Sequence, residues 1–297
     1  MEPSLLPYVL VTPARNEQDF IELTLKSVVS QTVKPLKWVI VSDGSTDRTD
    51  EIVAGYAVEN PWIQLVRMPE GIGRDFGRKV HCFNFGYSHL EGLAFDVVGS
   101  LDADLSFEPG YFEFLLSRFA EDSRLGVTGT PFSENGKTYD FRFSSKDHVS
   151  GACQLFRRKC YEEIGGYVPL KGGGIDSVAV MTARMKGWHT QTFTEMVTIH
   201  HRPMGTGAGA GKLTASFKLG QRAYLMGWHP AWQLFRTVYQ MTKKPYLVGG
   251  GALLLGYLYA MLRRSERSVS MELVEFQRRD QMKRLRLFLS PGRRTAN

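Results

Sequence analysis

Two aspartates separated by one residue, Asp102 and Asp104, directly follow a short apolar run, Val97–Leu101. The run predicts a buried strand, and ligands of α/β proteins gather at the carboxyl ends of such strands. Carboxylate oxygens are the ligands that hard cations such as magnesium or manganese prefer. A cation held there would in turn hold a phosphate group. A solvated turn after the strand is the alternative for a pair of this kind considered by itself.

The elements that must position these carboxylates alternate along the chain. Short apolar runs predict strands at residues 8–12, 38–41 and 63–66, and apolar residues at helical spacing predict helices at 19–30 and 47–59. This alternation indicates crossover connections and a mostly parallel sheet. Further predicted elements are helices at 80–90, 109–120 and 177–186 and strands at 125–130, 139–143 and 196–199.

The composition bounds the class of protein. The chain has 297 residues, 43% of them hydrophobic, which suits one large α/β domain with an appendage or two small domains. Its three cysteines, Cys82, Cys153 and Cys160, lack metal-ligand spacing and leave one unpaired. That favours buried thiols in a reducing compartment. The first residues lack a basic stretch ahead of an apolar core, so we expect no signal peptide.

The net charge of +7 is concentrated near the C-terminal end. Residues 243–297 carry twelve Lys or Arg against four Asp or Glu, whereas the remaining residues carry 25 basic and 26 acidic side chains. Within this tail, residues 245–262 contain no charge, and residues 270–289 predict a basic amphipathic helix. The excess charge therefore belongs to the tail and indicates an anionic partner there.

Several motifs occur in a defined order along the first two thirds of the chain. They are PARNE at 13–17, SVVSQT at 27–32, VIVSDGSTDRT at 39–49 and LDAD at 101–104, then GGY at 165–167 and Asp176 with Arg184 and Gly187. In this order they resemble glycosyltransferase family 2, a family of inverting enzymes with the GT-A fold. The resemblance extends over about residues 7–205.

The resemblance implies an α/β fold of the GT-A type, which is Rossmann-like and has a mostly parallel sheet with helices on both faces. Its boundaries would be 1–211, with a nucleotide-binding half at 1–105 and an acceptor-binding half at 106–211. A helical, membrane-associating extension would follow at 212–297. The implied activity is transfer of a sugar, with inversion, from a nucleotide-diphosphate sugar to an acceptor hydroxyl. We favour a UDP-sugar, with GDP or dTDP open.

Nucleoside recognition in the family lies at the ends of the first two strands. The matching residues here are Pro13, Ala14, Arg15, Glu17 and Asp43. Of these, Asp43 resembles the aspartate that contacts the base. The alternative for Asp43 is an Asx-turn in the DGST segment.

The resemblance assigns Asp102 to the ribose side of the donor and Asp104 to a divalent cation, Mn²⁺ or Mg²⁺, that bridges the phosphates. Such a cation stabilises negative charge on the departing nucleoside diphosphate. Lys79 or Arg78 would add a phosphate contact, with a solvated side chain as the alternative. The segment 148–158 resembles the wall beneath the donor sugar, where small residues, Ser150 and Gly151 among them, let a sugar approach the backbone. A close-packed strand is the other interpretation of that segment.

Inversion requires a general base on the side opposite the leaving group. The family places an aspartate there, and Asp176 has the expected spacing of eleven residues before Gly187. The glutamate that usually precedes this aspartate is replaced by Ile175, which puts any role of that glutamate in doubt. The alternative for Asp176 is an N-cap of the following helix, and the two roles are compatible.

His200 and His201 follow the last predicted strand, where many relatives supply a histidine as a further metal ligand. We expect one of them to bind the metal and the other to be packed or hydrogen-bonded, and the sequence does not distinguish them. Imidazole suits manganese better than magnesium. The glycine-rich loop at 205–211 is a candidate lid that closes over bound donor.

The uncharged segment 245–262 would rise about 27 Å as a helix, just short of a hydrocarbon core of about 30 Å. Three consecutive glycines and basic residues on both flanks argue against a simple span. We therefore expect a re-entrant or interfacial helix at the cytoplasmic face of the membrane, with helix 270–289 on anionic lipid. A buried helix of a soluble homodimer is the alternative. Membrane attachment would favour a lipid-linked saccharide acceptor over a free saccharide, as in polysaccharide or glycolipid assembly.

Two other classes of function compete with this interpretation. The sequence pI of about 9.3 and the arginine-rich tail are compatible with nucleic-acid binding, but no recognition module is visible and the tail has an apolar face. We therefore expect no nucleic-acid partner. A catalytically silent GT-A scaffold or regulatory protein is the second alternative, and the intact Asp102–Asp104 pair and Asp176 argue against it.

Overall fold

The structure, a computed structural model, describes residues 6–69, 77–134, 136, 138, 145–170, 173–202 and 211–290. These residues form two compact units, an N-terminal unit of residues 6–170 and 174–202 and a C-terminal unit of residues 211–290 together with Gly173. The strand expected at 139–143 lies outside the described residues. So does the candidate lid at 205–211, apart from Gly211.

A seven-stranded sheet forms the centre of the N-terminal unit. Its strands are β1 (Tyr8–Ala14), β2 (Lys37–Ser42), β3 (Ile63–Arg67), β4 (Val97–Leu101), β6 (Leu125–Gly129), β8 (Cys153–Arg157) and β9 (His189–Thr192). The order across the sheet is β3-β2-β1-β4-β8-β6-β9. Strand β8 runs antiparallel to both of its neighbours, whereas the other pairings are parallel.

Three short strands form a second sheet. They are β5 (Leu105–Ser106), β7 (Phe132–Ser133) and β10 (Thr198–His200), in the order β5-β10-β7. Because β5 begins directly after the Asp102–Asp104 segment and β10 ends at His200, this small sheet joins the two predicted parts of the metal site. His200 is paired with Leu105 in the register.

Helices cover both faces of the large sheet. They are α1 (Ile21–Val29), α2 (Thr49–Glu59), α3 (Arg78–Ser88), α4 (Tyr111–Glu121), α5 (Arg158–Glu163) and α6 (Ile175–Met185). Successive side chains of a strand point to opposite faces, so Tyr8 and Leu10 pack in one apolar core with α1 and α4, and Val9 and Val11 pack in the other with α3 and α6. The α/β class expected from the sequence is confirmed.

Gly86 brings α3 close to the sheet. A Cβ atom at this position would lie 2.6 Å from Val11 Cγ1 and 2.8 Å from Val41 Cγ2. The helix therefore rests directly on β1 and β2, and only glycine permits this separation. Because α3 begins at Arg78, the close packing fixes where the basic residues of its first turn stand.

The C-terminal unit is helical in its described part. Its helices are α7 (Lys212–Leu225), α8 (Pro230–Met241), α9 (Val248–Leu262) and α10 (Met271–Leu289). Helices α7 and α9 cross at two glycines, since a Cβ at Gly220 would overlap the carbonyl oxygen of Leu253 and one at Gly256 that of Phe217. The hydroxyl of Tyr257 donates a hydrogen bond to the carbonyl oxygen of Trp228 at 2.9 Å. No helix within the described residues is both long enough and apolar enough to cross a membrane.

Some boundaries differ from the sequence prediction. The helix expected at 19–30 begins at Ile21, because the carbonyl oxygen of Glu17 accepts the N–H groups of Phe20 and Ile21 in a preceding turn. The segment 148–158 contains the antiparallel strand β8, which favours the close-packed-strand interpretation of that segment. The uncharged segment 245–262 forms a helix from Val248 onward, so its helical part has 15 residues.

Candidate active site

A cavity of about 250 Å³ opens where β1, β2 and β4 end and α3 begins. It is lined by Pro13, Ala14, Arg15, Glu17, Asp43, Lys79, Cys82, Asp102, Ala103 and Asp104. Every donor-binding residue predicted from the sequence is on this wall except Ser150 and Gly151. Parallel strands put their carboxyl ends at one edge of the sheet, which is why residues as far apart in the sequence as Pro13 and Asp104 converge there.

The loops after β1 and β2 brace one another. The backbone N–H of Glu17 donates to Thr49 Oγ1 at 2.7 Å, and that of Gln18 donates to Asp47 Oδ2 at 3.0 Å. In the opposite direction, the N–H of Thr46 donates to Asn16 Oδ1 at 2.8 Å. Asn16 has a positive φ of 52°, a conformation that asparagine tolerates better than most residues. The cavity wall is thus tied together by hydrogen bonds between the two loops.

Asp43 is buried at the end of β2 and faces basic side chains. Its carboxylate pairs with the guanidinium of Arg78 and lies 3.7 Å from Arg15 Nη1, while its backbone N–H donates to the carbonyl oxygen of Ala14 at 2.8 Å. The side chain therefore makes ion pairs across the cavity. Arg78, which the sequence offered as an alternative phosphate contact, instead lies against the carboxylate expected to contact the base.

Lys79 stands between carboxylates. Its ammonium pairs with Asp102, and its side chain as a whole is 42% exposed. Partial desolvation lowers the pKa of Lys79, but the negative charges of Asp102, Asp176 and Asp104 outweigh it and the net pKa is raised. Lys79 is therefore a fixed positive charge beside the Asp102–Asp104 pair, positioned to meet an anionic ligand.

Asp102, Asp104 and His200 could together hold a metal ion. Each offers one ligand atom, and these atoms lie within 4.8 Å of one another. His200 Nε2 lies 3.7 Å from Asp104 Oδ1, and the other ring nitrogen, Nδ1, is buried without a hydrogen-bond partner in the described part of the chain. Burial, and then the charge of Asp102, raises the pKa of Asp104. A divalent cation would offset that repulsion, and two carboxylates with one imidazole suit manganese. The residues fit such an ion.

The two adjacent histidines differ in their surroundings. The ring of His201 is hydrogen-bonded through Nε2 to Ser106 Oγ at 2.8 Å and stacks on Phe20 with ring centroids 6.4 Å apart. Burial lowers its pKa, so the neutral ring is favoured. His201 does not belong to the group of possible metal ligands, whereas His200 does. The predicted role of either histidine in metal binding stays a prediction.

Asp176 lies in the first turn of α6, one residue after its first residue. The N-cap position belongs to Gly174, whose φ of 93° suits glycine, so Asp176 is not the N-cap residue. Its carboxylate lies against Gly151, where a Cβ atom would come within 2.9 Å of Oδ2. Ser150 beside it is buried, and its hydroxyl accepts the N–H of Ala152 at 3.3 Å. The candidate base and the predicted sugar wall are therefore neighbours.

Glu17 and Arg202 form an ion pair at the site. The sequence predicted a donor-site role for Glu17 but no role for Arg202. Burial raises the pKa of Glu17 to about 7, although the charge of Arg202 opposes this. The Arg202 guanidinium also lies 3.9 Å from Asp104 Oδ2 and 5.5 Å from the centroid of the Phe20 ring. The sequence signal that could have indicated a role for Arg202 is its position directly after His200 and His201.

A backbone hydrogen bond joins the Asp102–Asp104 segment to the residues just before β8. The N–H of Asp102 donates to the carbonyl oxygen of Ala152 at 2.9 Å, which continues the β4–β8 ladder by one step. The arrangement thus offers a candidate cation site and an ammonium group at one cavity, with the carboxylate of Asp176, the candidate base, close enough to act on Lys79. Chemically, that set suits transfer of a group from a diphosphate to a hydroxyl.

Sequence comparison agrees with this chemistry. A poly-beta-1,6-N-acetyl-D-glucosamine synthase from Staphylococcus aureus (strain MSSA476) is 27% identical over an alignment of 170 residues that covers 50% of this chain and 39% of that enzyme. A chondroitin synthase from Pasteurella multocida (strain Pm70) is 30% identical over 118 residues, 40% of this chain and 11% of that one. The chain therefore matches less than half the length of these relatives.

Solved structures share the fold. The mannosyltransferase PcManGT from Pyrobaculum calidifontis, in complex with GDP-Man and Mn²⁺, superposes with a TM-score of 0.59 at 20% identity, covering 99% of this chain and 84% of that one. Residues 1–349 of S. aureus TarS in complex with UDP-GlcNAc superpose with a TM-score of 0.54 at 14% identity, covering 92% and 78%. The expected GT-A fold is confirmed.

The profile of glycosyl transferase family 2 matches residues 9–175, more than half of the chain. The strands that carry the cavity and the helix turn that carries Asp176 lie within this range or at its end. The family resemblance drawn from the ordered motifs is confirmed, and this chain is a glycosyltransferase that belongs to glycosyl transferase family 2.

Proposed function

We propose that this protein transfers a sugar from a UDP-sugar to a hydroxyl of a saccharide acceptor, with inversion and with a divalent cation, Mn²⁺ or Mg²⁺, bound at Asp102, Asp104 and His200. The observation that carries the proposal is that these three possible ligands lie together and that two of them, Asp102 and Asp104, line the donor cavity with Lys79. The negative charge of Asp176 also acts on Lys79. The cation would supply charge stabilisation for the departing diphosphate.

The chain's own residues have separable tasks in this reaction. Asp43 and the loop after β1 bind the nucleoside, and Lys79 adds positive charge beside the phosphates. Asp176 accepts the proton of the acceptor hydroxyl as that oxygen attacks the anomeric carbon. Inversion follows when the attacking hydroxyl and the departing diphosphate lie on opposite sides of the sugar.

The choice of UDP rests on comparison rather than on the cavity. The UDP-GlcNAc complex of TarS and the relatives named after amino-sugar polymers support a UDP-sugar, whereas the GDP-Man complex of PcManGT supports a GDP-sugar. Polysaccharide assembly is supported by those same relatives. The acceptor would then be a growing saccharide, free or lipid-linked.

The C-terminal unit supports attachment to an anionic membrane surface, at the cytoplasmic face where nucleotide sugars are made. Helix α9 presents an exposed apolar stripe of Val248, Leu255, Tyr259 and Leu262, spaced so that all four lie on one side of the helix. A cavity of about 980 Å³ beside α10 is lined by His229, Arg278, Arg279, Met282, Lys283, Arg286, Leu287 and Ser290. Apolar and basic surfaces in one unit are typical of interfacial helices.

Calorimetric titration tests the donor site. The purified chain is titrated with UDP, GDP and dTDP, each with and without Mn²⁺, and the series is repeated on Asp104→Ala. We expect binding of UDP that requires the metal and that the variant loses. Absence of binding for all three nucleotides would contradict the transferase proposal, and metal-dependent binding of GDP instead would redirect it to another donor.

Vesicle co-sedimentation tests the membrane attachment. We expect the chain to pellet with vesicles containing phosphatidylglycerol and to do so several-fold less after Leu255→Glu with Leu262→Glu. The matched control is Leu36→Glu, an exposed leucine of the N-terminal unit. A concentration-dependent dimer that the double variant dissolves, with no vesicle binding, would assign the stripe to a homodimer instead.

A further inference from the structure

The GGY motif at residues 165–167 lies outside the wall of the donor cavity. Gly165 and Gly166 have positive φ values of 77° and 69°, so they turn the chain back after α5. A Cβ atom at Gly166 would come within 2.9 Å of the Tyr161 hydroxyl, and that hydroxyl accepts the backbone N–H of Tyr167 at 3.3 Å. The turn therefore directs Tyr167 into the core.

Aromatic side chains enclose the ring of Tyr167, which is 5% exposed. Its centroid lies 5.0 Å from that of Phe83 and 5.5 Å from that of Phe156, both in edge-to-face contact. These contacts hold the ring, and with it the hydroxyl, in place. Burial raises the pKa of Tyr167 well above its ordinary value, and the charge of Asp176 is a smaller cause in the same direction. The hydroxyl therefore keeps its proton and acts as a donor.

Two hydrogen bonds in series start at this hydroxyl. It donates to Gln154 Oε1 at 2.6 Å, and Gln154 Nε2 donates to the carbonyl oxygen of Val149 at 2.9 Å. Gln154 lies on β8 and is fully buried, so an amide oxygen left unpaired there would be costly. The tyrosine hydroxyl therefore fixes the amide, and the amide fixes the backbone at Val149.

Residues 147–151, the segment that contains this carbonyl, contact α6 near both of its ends. At the first turn of the helix, a Cβ atom added to Gly151 would lie 2.8 Å from Asp176 Cβ and 2.9 Å from its Oδ2. At the last turn, Arg184 Nη2 lies 3.6 Å from Asp147 Oδ2. The position of the Asp176 side chain therefore depends on where the backbone of this segment lies.

We propose that Tyr167 is a positioning residue for sugar transfer: through Gln154 it holds the backbone at residues 149–151, and thereby directs the Asp176 carboxylate. The inference rests on the proposed role of Asp176 as general base. A base must lie within hydrogen-bond distance of the proton it accepts, and a misplacement of about 1 Å can lower a rate about 100-fold. Because Tyr167 is not on the cavity wall, its loss should leave donor binding intact.

Steady-state kinetics of Tyr167→Phe test the inference, because this substitution removes the hydroxyl and keeps the ring. The assay measures UDP release from UDP-GlcNAc with Mn²⁺, where water replaces the acceptor and Asp176 accepts its proton. We expect kcat to fall about 10- to 100-fold, with the KM for UDP-GlcNAc and the affinity for UDP unchanged. Gln154→Met, which removes the next link of the series, should give the same loss.

Tyr8→Phe is the matched control. Tyr8 is 1% exposed, and its hydroxyl donates to the carbonyl oxygen of Val33 at 2.8 Å, so the variant also loses one buried hydrogen bond from a tyrosine to another residue. Its Tm should fall about as much as that of Tyr167→Phe, but its kcat should equal that of the unmodified chain. A general loss of stability is thereby separated from a loss of positioning.

A comparison in the Asp176→Asn background shows whether Tyr167 acts through the base. If it does, Tyr167→Phe should add little to the loss of kcat that Asp176→Asn already causes, whereas independent effects would multiply. The same four proteins are compared for UDP affinity, which should be equal in all of them.

Hydrogen–deuterium exchange tests the structural link without any catalysis. The N–H of Ala152 donates to Ser150 Oγ at 3.3 Å, so exchange in a peptide that covers residues 148–153 reports whether this backbone is held. We expect exchange to be several-fold faster in Tyr167→Phe and Gln154→Met, and unchanged in Tyr8→Phe.

Three results would overturn the proposal: a kcat of Tyr167→Phe equal to that of Tyr8→Phe, an undiminished loss in the Asp176→Asn background, or unchanged exchange of residues 148–153. A kcat of Asp176→Asn equal to that of the unmodified chain would refute the proposed base, and with it the catalytic role of Tyr167. The exchange data would then show separately whether Tyr167 holds the segment, so the two failures are distinguishable.

Discussion

The two units of this chain differ in how many large hydrophobic side chains they leave exposed. Of the 21 large hydrophobic side chains that are exposed among the described residues, 15 belong to the C-terminal unit, which is less than a third of the chain. The N-terminal unit buries its apolar residues in two cores, one on each face of a sheet. Its charged residues meet one another around the donor cavity. The helical unit instead leaves many apolar side chains exposed.

The difference indicates which unit is complete by itself. Exposed apolar patches mark surfaces that meet something else. The N-terminal unit carries most of the part that matches the family, whereas the C-terminal unit exposes the apolar surface for which membrane attachment is proposed above. Separate substitutions should therefore affect chemistry in one unit and attachment or stability in the other.

The largest effect is expected at the metal site. Asp104→Asn should lower the rate of donor consumption by about a thousandfold, because a ligand to the charge-stabilising cation is lost. The Tm should not fall, since the substitution removes a buried negative charge whose pKa is already raised by burial and by Asp102. Donor consumption is measured by nucleotide release, and Tm by circular dichroism. A rate of donor consumption near that of the unmodified chain would contradict the assignment of catalysis to the N-terminal unit.

Asp176→Asn should lower transfer by about 10²- to 10⁴-fold through loss of the general base. Metal-dependent nucleotide binding should stay unchanged, because Asp176 lies against Gly151 on the sugar side of the site and is not on the wall of the donor cavity. Transfer is measured with saturating donor, and nucleotide binding by titration. Equal losses in both would assign Asp176 to donor binding rather than to proton transfer.

A third substitution affects the helical unit alone. Gly220→Ala should destabilise it by about 1–3 kcal/mol, because the added methyl group would overlap the backbone of α9 at Leu253. Gly251→Ala is the matched control, since a Cβ there meets nothing within 4 Å, and it should stabilise α9 by about 0.5–1 kcal/mol. Scanning calorimetry measures both. A shift of the N-terminal unit's transition by Gly220→Ala would show that the two units unfold together.

The smallest effect concerns the braced loops of the N-terminal unit. The Asp47 carboxylate accepts hydrogen bonds from the Thr49 N–H at 3.0 Å, the Thr49 hydroxyl at 2.6 Å and the Gln18 N–H at 3.0 Å. Burial raises the pKa of Asp47, but these bonds outweigh it and the net pKa is lowered. Asp47→Ala should therefore cost about 1 kcal/mol at pH 7.

The pH dependence of that cost has a defined sign. A lowered pKa in the folded state means that the stabilisation is present above the unfolded value of about 4 and is lost as the pH falls through the folded pKa. The difference in Tm between Asp47→Ala and the unmodified chain should therefore shrink as the pH falls from about 5 to about 2. A difference that grows on acidification would contradict the role of this carboxylate.

Much of the fold could be predicted because its signals are local. The strand Val97–Leu101 was predicted with the observed bounds, since five apolar or small residues end abruptly at Asp102. The donor residues followed from the resemblance to the family, and their position agrees with the rule that ligands meet at strand ends. The sequence also placed Asp176 at the start of a helix, although the helix begins one residue earlier, at Ile175.

The remainder depends on contacts between distant parts of the chain. Nothing local marks Cys153–Arg157 as an antiparallel strand inserted between β4 and β6, because strand direction is set by its partners. The pairing of Arg202 with Glu17 joins residues 185 positions apart, and the choice of His200 over His201 for the ligand group depends on Ser106. The α7–α9 crossing at Gly220 likewise becomes visible only when both helices are in place.

The ladder between β4 and β8 has a consequence for how this scaffold can diversify. The N–H of Asp102 is bonded to the carbonyl oxygen of Ala152, next to the Gly151 that touches Asp176. The spacing between Asp102, a predicted donor-site residue, and Asp176, the predicted base, is therefore set in part by peptide units, whose dimensions do not change with side-chain identity. Side chains around the cavity can therefore vary to select a different sugar or acceptor, while the backbone spacing between Asp102 and Asp176 stays the same.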